Sequence, residues 1–255
     1  MTTSNQTSKI AIITGGSRGI GKSIAIESAK RGIGVILTYN NNSAQGRTVA
    51  EEINNSGGQA VALKFDSGDM TSVKDFLTRL PQILKKEFNR GNFDYLVNNA
   101  GIAQRSLIKD TTEDIFDQLV RIDFKGVFFL TQGLIPLMSD GGQIINISSA
   151  LARVAFPGTA VYGAIKAGLE ALTRYFANEY SNRKIRVNTV APGAIDTEFG
   201  GGKGDEAHRQ QIAAAIALGR LGDADDIGDF VASLLSDDSR YLNAQRIEVA
   251  GGIYI

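Results

Sequence analysis

Tyr162 and Lys166 are the two residues whose types and spacing most directly suggest chemistry. They are four positions apart, and the apolar pattern of residues 159–180 predicts that both lie on one helix. Side chains at i and i+4 share a helix face, so the phenol and the ammonium are neighbours. A free tyrosine has a pKa of about 10, and a nearby ammonium lowers that value by stabilising the phenolate. The pair is therefore a candidate device for proton transfer.

Ser149 is a third candidate, because it directly follows a predicted strand at 143–148. A hydroxyl at the carboxyl end of a strand lies at the edge where open α/β sheets bind ligands. Such a hydroxyl can polarise a ketone while Tyr162 donates a proton. Two further predicted strand ends carry small or polar residues suited to a nicotinamide ring and its ribose. These residues are Asn98, Asn99, Ala100 and Gly101, and then Pro192, Gly193, Ile195 and Thr197.

The residue composition excludes several other kinds of chemistry. The chain has no cysteine, so it has no disulfide, no thiol nucleophile and no thiolate metal site. Its single histidine, His208, lies in a polar, glycine-rich stretch typical of a protein surface. One histidine cannot build a histidine metal cluster, and its expected surface position argues against a Ser-His hydrolase. We therefore expect no metal, and chemistry carried by Tyr, Lys, Ser, Arg or carboxylates.

Charge and hydropathy bear on the partners and the location of the protein. The 27 basic and 27 acidic side chains cancel, which argues against a general nucleic-acid binder. Residues 1–8 are polar, which predicts a flexible N-terminus and no secretory signal. No apolar run approaches the ~20 residues that span a bilayer, so we expect no membrane partner and a cytoplasmic location.

The order of predicted elements indicates a single α/β domain covering residues 1–255. Runs rich in Val and Ile alternate with amphipathic stretches, and no linker-like segment divides the chain. These apolar runs are continuous, as in strands buried on both faces. They predict a doubly wound Rossmann domain, a parallel seven-stranded sheet with helices on both faces. The predicted strands cover 9–14, 35–39, 59–65, 95–98, 143–148, 185–191 and 246–249. The predicted helices cover 19–31, 44–55, 71–88 with an interruption near Pro81, 113–137, 159–180 and 224–235.

A glycine-rich loop joins the first predicted strand to the first predicted helix. Its sequence is Thr14-Gly15-Gly16-Ser17-Arg18-Gly19-Ile20-Gly21. The glycines at 15, 19 and 21 allow a sharp turn and a close backbone approach, and a helix N-terminus attracts phosphate. The position of the loop between a strand and a helix favours a dinucleotide site over an ordinary turn.

The end of the second predicted strand bears on the choice of dinucleotide. An NAD-binding protein usually places Asp or Glu there. This chain has Tyr39 and Asn40, and it has no acidic residue between Glu27 and Glu51. Without a carboxylate a 2′-phosphate is not repelled, and Arg18 can supply a cation. The sequence therefore predicts NADP(H) in preference to NAD(H), with a merely solvated Arg18 as the alternative.

Taken together, these motifs resemble the signature set of the short-chain dehydrogenase/reductase family. The similarity extends from Lys9 to Gly252 and rests on residues 14–21, 98–101, 192–193 and the Ser149, Tyr162 and Lys166 set. Residues 98–107 and 219–222 are also similar to 3-oxoacyl-(acyl-carrier-protein) reductases. Many other carbonyl reductases and sugar dehydrogenases share these two stretches.

This resemblance implies a role for each site residue. Tyr162 would be the general acid in reduction or the base in oxidation, Lys166 would lower its pKa and hold the nicotinamide ribose, and Ser149 would bind the substrate oxygen. Asp66 would contact the adenine, and Ile195 and Thr197 the carboxamide. The implied cofactor-binding set is Gly15, Ser17, Arg18, Gly19, Ile20, Gly21, Tyr39, Asn40, Asp66, Ser67, Asn99, Ala100, Gly101, Tyr162, Lys166, Pro192, Gly193, Ile195 and Thr197.

One position departs from the family pattern. Where the family has Asn in a stretch like Asn-x2-Gly-x-Phe, this chain has Asp123. The resemblance implies that the residue helps to hold a water that relays protons to the lysine. Aspartate is nearly the same size, and as an anion it favours a charged Lys166. We expect Asp123 to preserve the relay with an altered pH dependence. The alternative is a helix carboxylate satisfied by the backbone.

The substrate side is less sharply defined. The pocket walls are expected at 102–107 and 150–158, with a glycine-containing lid at 194–218 that is helical around 208–218. Arg105 and Arg153 could meet an acidic substrate or a carrier's phosphopantetheine arm, and solvated or paired side chains are the simpler interpretation. The resemblance implies a homotetramer that packs through residues 113–138 and 159–180.

Three functions remain open at this stage. The first is NADPH-dependent reduction of a ketone on a small or acyl-carrier-linked substrate. The second is oxidation of a secondary alcohol or a sugar with NAD(P)+. The third, a dinucleotide sensor without catalysis, is disfavoured by the intact Ser149, Tyr162 and Lys166 set.

Overall fold

The computed structural model describes residues 9–199 and 205–253, which contain one seven-stranded parallel sheet. The strands are β1 (Lys9–Ile13), β2 (Ile33–Tyr39), β3 (Ala60–Lys64), β4 (Phe93–Asn98), β5 (Met138–Ile147), β6 (Arg186–Pro192) and β7 (Arg246–Val249). Their order across the sheet is β3-β2-β1-β4-β5-β6-β7, so the direction of winding reverses between β1 and β4. The predicted doubly wound sheet is confirmed. The predicted flexible N-terminus at 1–8 and the lid residues 200–204 lie outside the described residues.

Helices cover both faces of the sheet and create two apolar cores. They are α1 (Gly19–Lys30), α2 (Ser43–Asn55), α3 (Met70–Phe88), α4 (Glu113–Val120), α5 (Gly126–Leu134), α6 (Ala160–Glu179), α7 (Glu206–Ala214) and α8 (Ala224–Leu234). Helices α3, α5 and α6 contribute to one core, and α1, α2 and α8 to the other. In β1, Ile10 and Ile12 lie in the first core, and Ala11 and Ile13 in the second. A strand covered on both faces therefore requires a continuous apolar run.

Helix α3 corrects one prediction, because it continues through Pro81 without interruption. Proline removes one backbone hydrogen bond and costs about 3 kcal/mol in a helix interior. Val73, Phe76, Leu80 and Leu84 are buried on both sides of the proline. Burial of each such side chain contributes roughly 1.5–3 kcal/mol. Packing of α3 against the sheet therefore outweighs the local tendency of Pro81 to interrupt the helix.

The long helix predicted over 113–137 contains an irregular turn near its centre. Helix α4 runs into a π-helical turn, Arg121–Lys125, before α5 begins at Gly126. Such turns accommodate one extra residue and occur frequently at functional sites. This turn carries Asp123 and buries it completely. The apolar pattern predicted the helical segment but not the change in its hydrogen bonding.

The two largest differences in element boundaries concern β5 and α7. Strand β5 begins at Met138, well before the predicted start at residue 143, and helix α7 ends at Ala214, before the predicted end near 218. Within the parts of the chain that the structure describes, no helix combines the length and the apolar character needed to cross a membrane.

Candidate active site

The glycine-rich loop between β1 and α1 needs glycine for its backbone conformation and for close packing. Gly15 and Gly19 have positive φ angles of 66° and 53°, a region that favours glycine. A Cβ atom on Gly21 would lie 2.2 Å from the Gly15 carbonyl oxygen. The first turn of α1 has no side-chain cap and no acidic residue. Its backbone N–H groups are therefore suited to a phosphate.

The glycine loop is joined to the end of β4 by hydrogen bonds. The Thr14 hydroxyl accepts the backbone N–H groups of Asn99 and Ala100, each at 3.0 Å. In return, the Asn99 side chain donates to the carbonyl oxygens of Thr14 at 2.9 Å and Gly15 at 3.2 Å. These contacts place the predicted cofactor residues 15–21 and 99–101 on one continuous surface.

Lys166 lies at the centre of a buried polar cluster at the carboxyl ends of β4 and β5. Its Nζ atom is 3.3 Å from Asp123 Oδ1, donates to the Ile147 carbonyl oxygen at 3.2 Å and lies 5.4 Å from the centroid of the Tyr162 ring. Asp123 Oδ2 accepts the Ile102 backbone N–H at 3.2 Å. The i, i+4 spacing thus places the phenol and the ammonium together, as predicted, with a carboxylate as the third member.

Gly101 makes space for this carboxylate. A Cβ atom at position 101 would lie 2.3 Å from Asp123 Oδ1 and 3.7 Å from Lys166 Nζ. Any larger residue would displace the Asp123 side chain from the lysine. The proximity of Gly101 to Asp123 was not predicted, because it depends on how the π-helical turn faces the end of β4.

Tyr162 lies between the lysine, Ser149 and an aromatic ring. The Ser149 side chain lies close enough to Tyr162 to lower its pKa, and its hydroxyl accepts the Leu151 backbone N–H at 3.2 Å. The ring of Phe199 lies with its centroid 6.2 Å from that of Tyr162. Sequence reasoning missed Phe199, although its position two residues after Thr197 was an available signal.

Burial and charge shift the three pKa values of the cluster. Burial raises the pKa of Tyr162, and this effect exceeds the lowering by the Lys166 ammonium. Burial also raises the pKa of Asp123 above its ordinary range, against the opposing effect of Lys166. Burial alone would lower the pKa of Lys166, but the negative charges of Tyr162 and Asp123 raise it overall. Lys166 therefore lowers the pKa of Tyr162, as expected, but desolvation is the larger effect and the pKa of the buried phenol is raised overall.

The other predicted residues lie around the same sheet edge at different depths. Thr197 lies beside the glycine loop, since a Cβ atom placed on Gly19 would lie 3.6 Å from the Cγ2 atom of Thr197. Asp66 accepts the Gly68 backbone N–H at 2.8 Å, and Ser67 is buried next to Gly126. The remaining members lie at strand ends or in the loop, with Tyr39, Ser17, Ile20, Gly193 and Ile195 half-buried, Asn40 exposed and Pro192 buried.

Arg18 and His208 are both on the surface. Arg18 is 67% exposed and forms a long 3.8 Å ion pair with Glu198, which is 71% exposed. The predicted surface position of His208 is confirmed, since the residue is exposed in the first turn of α7. Arg153 is exposed and lies 4.0 Å from Glu248, which agrees with the interpretation of a solvated or paired side chain.

Comparison with known proteins relates this geometry to a family. The family model described as enoyl-(acyl carrier protein) reductase matches residues 15–254. A 3-oxoacyl-(acyl-carrier-protein) reductase of Staphylococcus aureus is 38% identical over 249 residues, which are 97% of this chain and 98% of the relative. A solved short-chain dehydrogenase from Burkholderia cenocepacia in complex with NADP is 32% identical, with a TM-score of 0.90 over 98% of this chain and 100% of that one. The angucycline C-6 ketoreductase LanV with bound NADP is 34% identical, with a TM-score of 0.93 over 98% and 96%.

The parallel sheet with a glycine loop after its first strand defines a dinucleotide-binding enzyme of the Rossmann type. The chain belongs to the short-chain dehydrogenase/reductase family. It is an oxidoreductase that acts on C=O and CH–OH groups.

Proposed function

We propose that the protein is an NADPH-dependent ketoreductase. The observation that carries the proposal is the convergence of Tyr162, Ser149 and buried Lys166 at the sheet edge that also carries the glycine loop. Ser149 binds the substrate oxygen and Tyr162 donates a proton to it, while Lys166 stabilises the phenolate that remains. The reduced nicotinamide supplies the hydride when it is bound.

The glycine loop fits the cofactor in both shape and charge. Gly21 cannot carry a Cβ atom, the first turn of α1 presents free N–H groups, and Asn99 holds the loop in place. We propose that the predicted set from Gly15 to Thr197 binds the cofactor, with Lys166 holding the ribose and Asp66 the adenine. The relatives from Burkholderia cenocepacia and LanV, both solved with NADP, support this choice of dinucleotide.

The preference for NADP(H) over NAD(H) rests on Arg18. Its ion pair with Glu198 is long and exposed, and exposed pairs of this kind contribute only about 0–1 kcal/mol. A 2′-phosphate would therefore displace Glu198 from Arg18 at little cost. No carboxylate at the end of β2 opposes the phosphate, since Tyr39 and Asn40 occupy that place.

Replacing Arg18 by methionine is expected to raise the Kd for NADPH by about 10- to 100-fold, as for loss of one hydrogen bond to a charged group. The Kd for NADH should stay within about twofold, because that dinucleotide lacks the phosphate. Fluorescence titration of both dinucleotides measures the effect. Arg31→Met, which removes an exposed arginine just beyond the opposite end of α1, is the control. Equal losses for NADPH and NADH in Arg18→Met would contradict the proposed phosphate contact.

A small-molecule carbonyl compound with an apolar body is the proposed substrate. Residues 151–158, within the predicted pocket wall, line an apolar cavity of about 920 Å³ together with residues 107–109 and with Gly163, Ala164 and Ala167 of α6. Ser149, Tyr162 and Lys166 are not part of its lining, so the cavity would hold the body of the substrate and not its reacting carbonyl group. A cavity of this size accommodates a drug-sized ligand. A 3-oxoacyl group, as in the relative from Staphylococcus aureus, or a larger ketone would suit it. Secondary-alcohol or sugar oxidation is the alternative, because the same residues serve both directions.

Turnover of NADPH with a panel of carbonyl compounds tests the proposed function. The panel contains simple ketones and 3-oxoacyl thioesters. It also contains an enoyl thioester, because the matching family is described as enoyl-(acyl carrier protein) reductase. Faster oxidation of NADPH by a ketone or 3-oxoacyl thioester than by the enoyl thioester supports ketone reduction. Turnover of the enoyl thioester alone overturns it. Tight NADPH binding without turnover of any compound favours a dinucleotide sensor.

We further propose that residues 1–255 form one domain, that 194–218 act as a lid over the substrate and that four chains assemble in the cytoplasm. Exposed Phe116, Phe129 and Tyr175 on α4, α5 and α6 support packing of these helices against a second subunit. A native mass of four chains in solution is the expected observation, and a monomer would overturn the assembly.

A further inference from the structure

Ser148, the neighbour of Ser149, connects the end of β5 to helix α6. Its hydroxyl donates to Glu170 Oε1 at 2.8 Å and lies 3.3 Å from the Lys166 carbonyl oxygen. Its backbone N–H donates to the Val190 carbonyl oxygen at 2.8 Å. The residue that precedes the proposed substrate-binding serine is therefore attached both to β6 and to the helix that carries Tyr162 and Lys166.

Glu170 is a largely buried carboxylate whose charge is balanced by Arg246. The two side chains are 12% and 10% exposed, and Arg246 Nε donates to Glu170 Oε1 at 2.7 Å. Arg246 Nη1 donates to Glu248 Oε2 at 2.9 Å, and Arg153 lies 4.0 Å from the same carboxylate oxygen. Arg246 is the first residue of β7 and is paired with Thr189 of β6. One connected network therefore links β5, β7, α6 and the segment after Ser149.

We propose that Arg246 is a positioning residue for the active site. Through Glu170 and Ser148 it fixes the distance between the end of β5 and the face of α6 that holds Lys166. Lys166 and Glu170 are one helical turn apart, so a shift of Glu170 moves the lysine with it. The inference rests on the proposed function, because the distance it sets is the one between Ser149 and Tyr162.

The cost of the network supports a positional role over a purely stabilising one. Arg246 Nη2 is buried and finds no hydrogen-bond partner within the described residues. An unsatisfied buried donor costs about 1–3 kcal/mol. Apolar side chains of similar volume often stabilise a fold as well as a buried ion pair does, and they leave no such donor. The ion pair does, however, hold two elements in a defined geometry. A displacement of about 1 Å of a catalytic group lowers rates by about 10²-fold.

The test compares Arg246→Met with Arg246→Lys and with the double variant Arg246→Met/Glu170→Gln. In Arg246→Met the Glu170 carboxylate is left without its buried counter-charge, and kcat is expected to fall by about 10- to 100-fold. The Kd for NADPH should rise by much less than kcat falls, because Lys166 is only one of the proposed cofactor contacts and the glycine loop is not touched. Lysine, which keeps a cation beside Glu170, should restore most of kcat. The double variant removes the orphaned charge but not the missing link to β7, so its kcat should stay as low as that of Arg246→Met, and recovery there would overturn the positioning role. All rates are expressed per NADPH-binding site, so that unfolded protein does not contribute.

Ser148→Ala provides a second variant that leaves no buried charge behind, and it should lower kcat by about tenfold. A kcat for Arg246→Met that stays within about twofold of the wild-type value would overturn the positioning role. If Arg246→Met does not fold, the same result in Ser148→Ala would overturn it. A lowered melting temperature with unchanged kcat per site would do the same, since it would show a structural role only. Absence of turnover in the wild-type enzyme would instead contradict the proposed function.

Discussion

Replacing Tyr162 by phenylalanine is expected to lower kcat for ketone reduction by about 10²- to 10⁴-fold, the range typical of a lost general acid. The change removes one hydroxyl and keeps the ring that packs against Leu119 and Ile165. Ser149 and Lys166 stay in place, but neither can deliver the proton along the same path. Single-turnover oxidation of NADPH measures the chemical step, and NADPH titration measures separately any loss of the contact proposed between Tyr162 and the cofactor, which should be far smaller than the loss in kcat.

Tyr175→Phe is the matched control, because Tyr175 lies on the same helix and is 64% exposed. Removing the hydroxyl of Tyr175 should leave both kcat and the Kd for NADPH unchanged. Retention of more than a tenth of the wild-type kcat in Tyr162→Phe would show that another group donates the proton.

Replacing Asp123 by alanine is expected to lower the free energy of unfolding by about 3–5 kcal/mol, as for loss of one partner from a buried ion pair. Lys166 is buried and its Nζ atom lies 3.3 Å from the Asp123 carboxylate, so the variant leaves an uncompensated ammonium. The Ile102 backbone N–H also loses its acceptor. Urea denaturation of the wild-type and variant proteins measures the difference.

Asp123→Asn is the companion variant, since it keeps the size and the acceptor for Ile102 but removes the charge. The negative charge of Asp123 raises the pKa values of both Tyr162 and Lys166. Its removal should lower the pKa of Tyr162. Reduction requires the protonated phenol. As pH rises, the rate of reduction should therefore begin to fall at a lower pH in the variant than in the wild type. Alcohol oxidation requires the phenolate, so its rate should reach its plateau at a lower pH in the variant. An unchanged pH–rate profile would mean that Asp123 is only a helix carboxylate satisfied by its neighbours.

Much of the fold follows from local pattern, and the exceptions have physical causes. The alternation of Val- and Ile-rich runs with amphipathic stretches was sufficient for all seven strands. Helix α3 was predicted with a break because proline acts locally, whereas the packing of Phe76, Leu80 and Leu84 that overrides it is a tertiary effect. The π-helical turn at Arg121–Lys125 leaves no mark in an apolar pattern, since it changes only which carbonyl each N–H meets.

In the site too, features set by local sequence were predicted and features set by tertiary packing were not. Tyr162 and Lys166 were predicted together because four residues along a helix set their geometry. The net rise in the Tyr162 pKa was not predicted, because the degree of burial depends on packing by Phe199, Leu119 and other distant residues. Arg246 was missed for a similar reason: it lies 76 residues from Glu170 in sequence, and only the adjacency of β6 and β7 brings them together.

The strand order also has a consequence for how the protein is made. Strand β1 is synthesised first but lies next to β4 near the middle of the sheet. Until residues 93–98 leave the ribosome, β1 therefore presents an unpaired edge, which is an aggregation hazard for a nascent chain. From β4 onward each new strand adds to the preceding one. The part of the dinucleotide site on β1 and β4 can thus form before Tyr162 is translated, whereas the contacts proposed for Lys166 and residues 192–197 follow with the later strands.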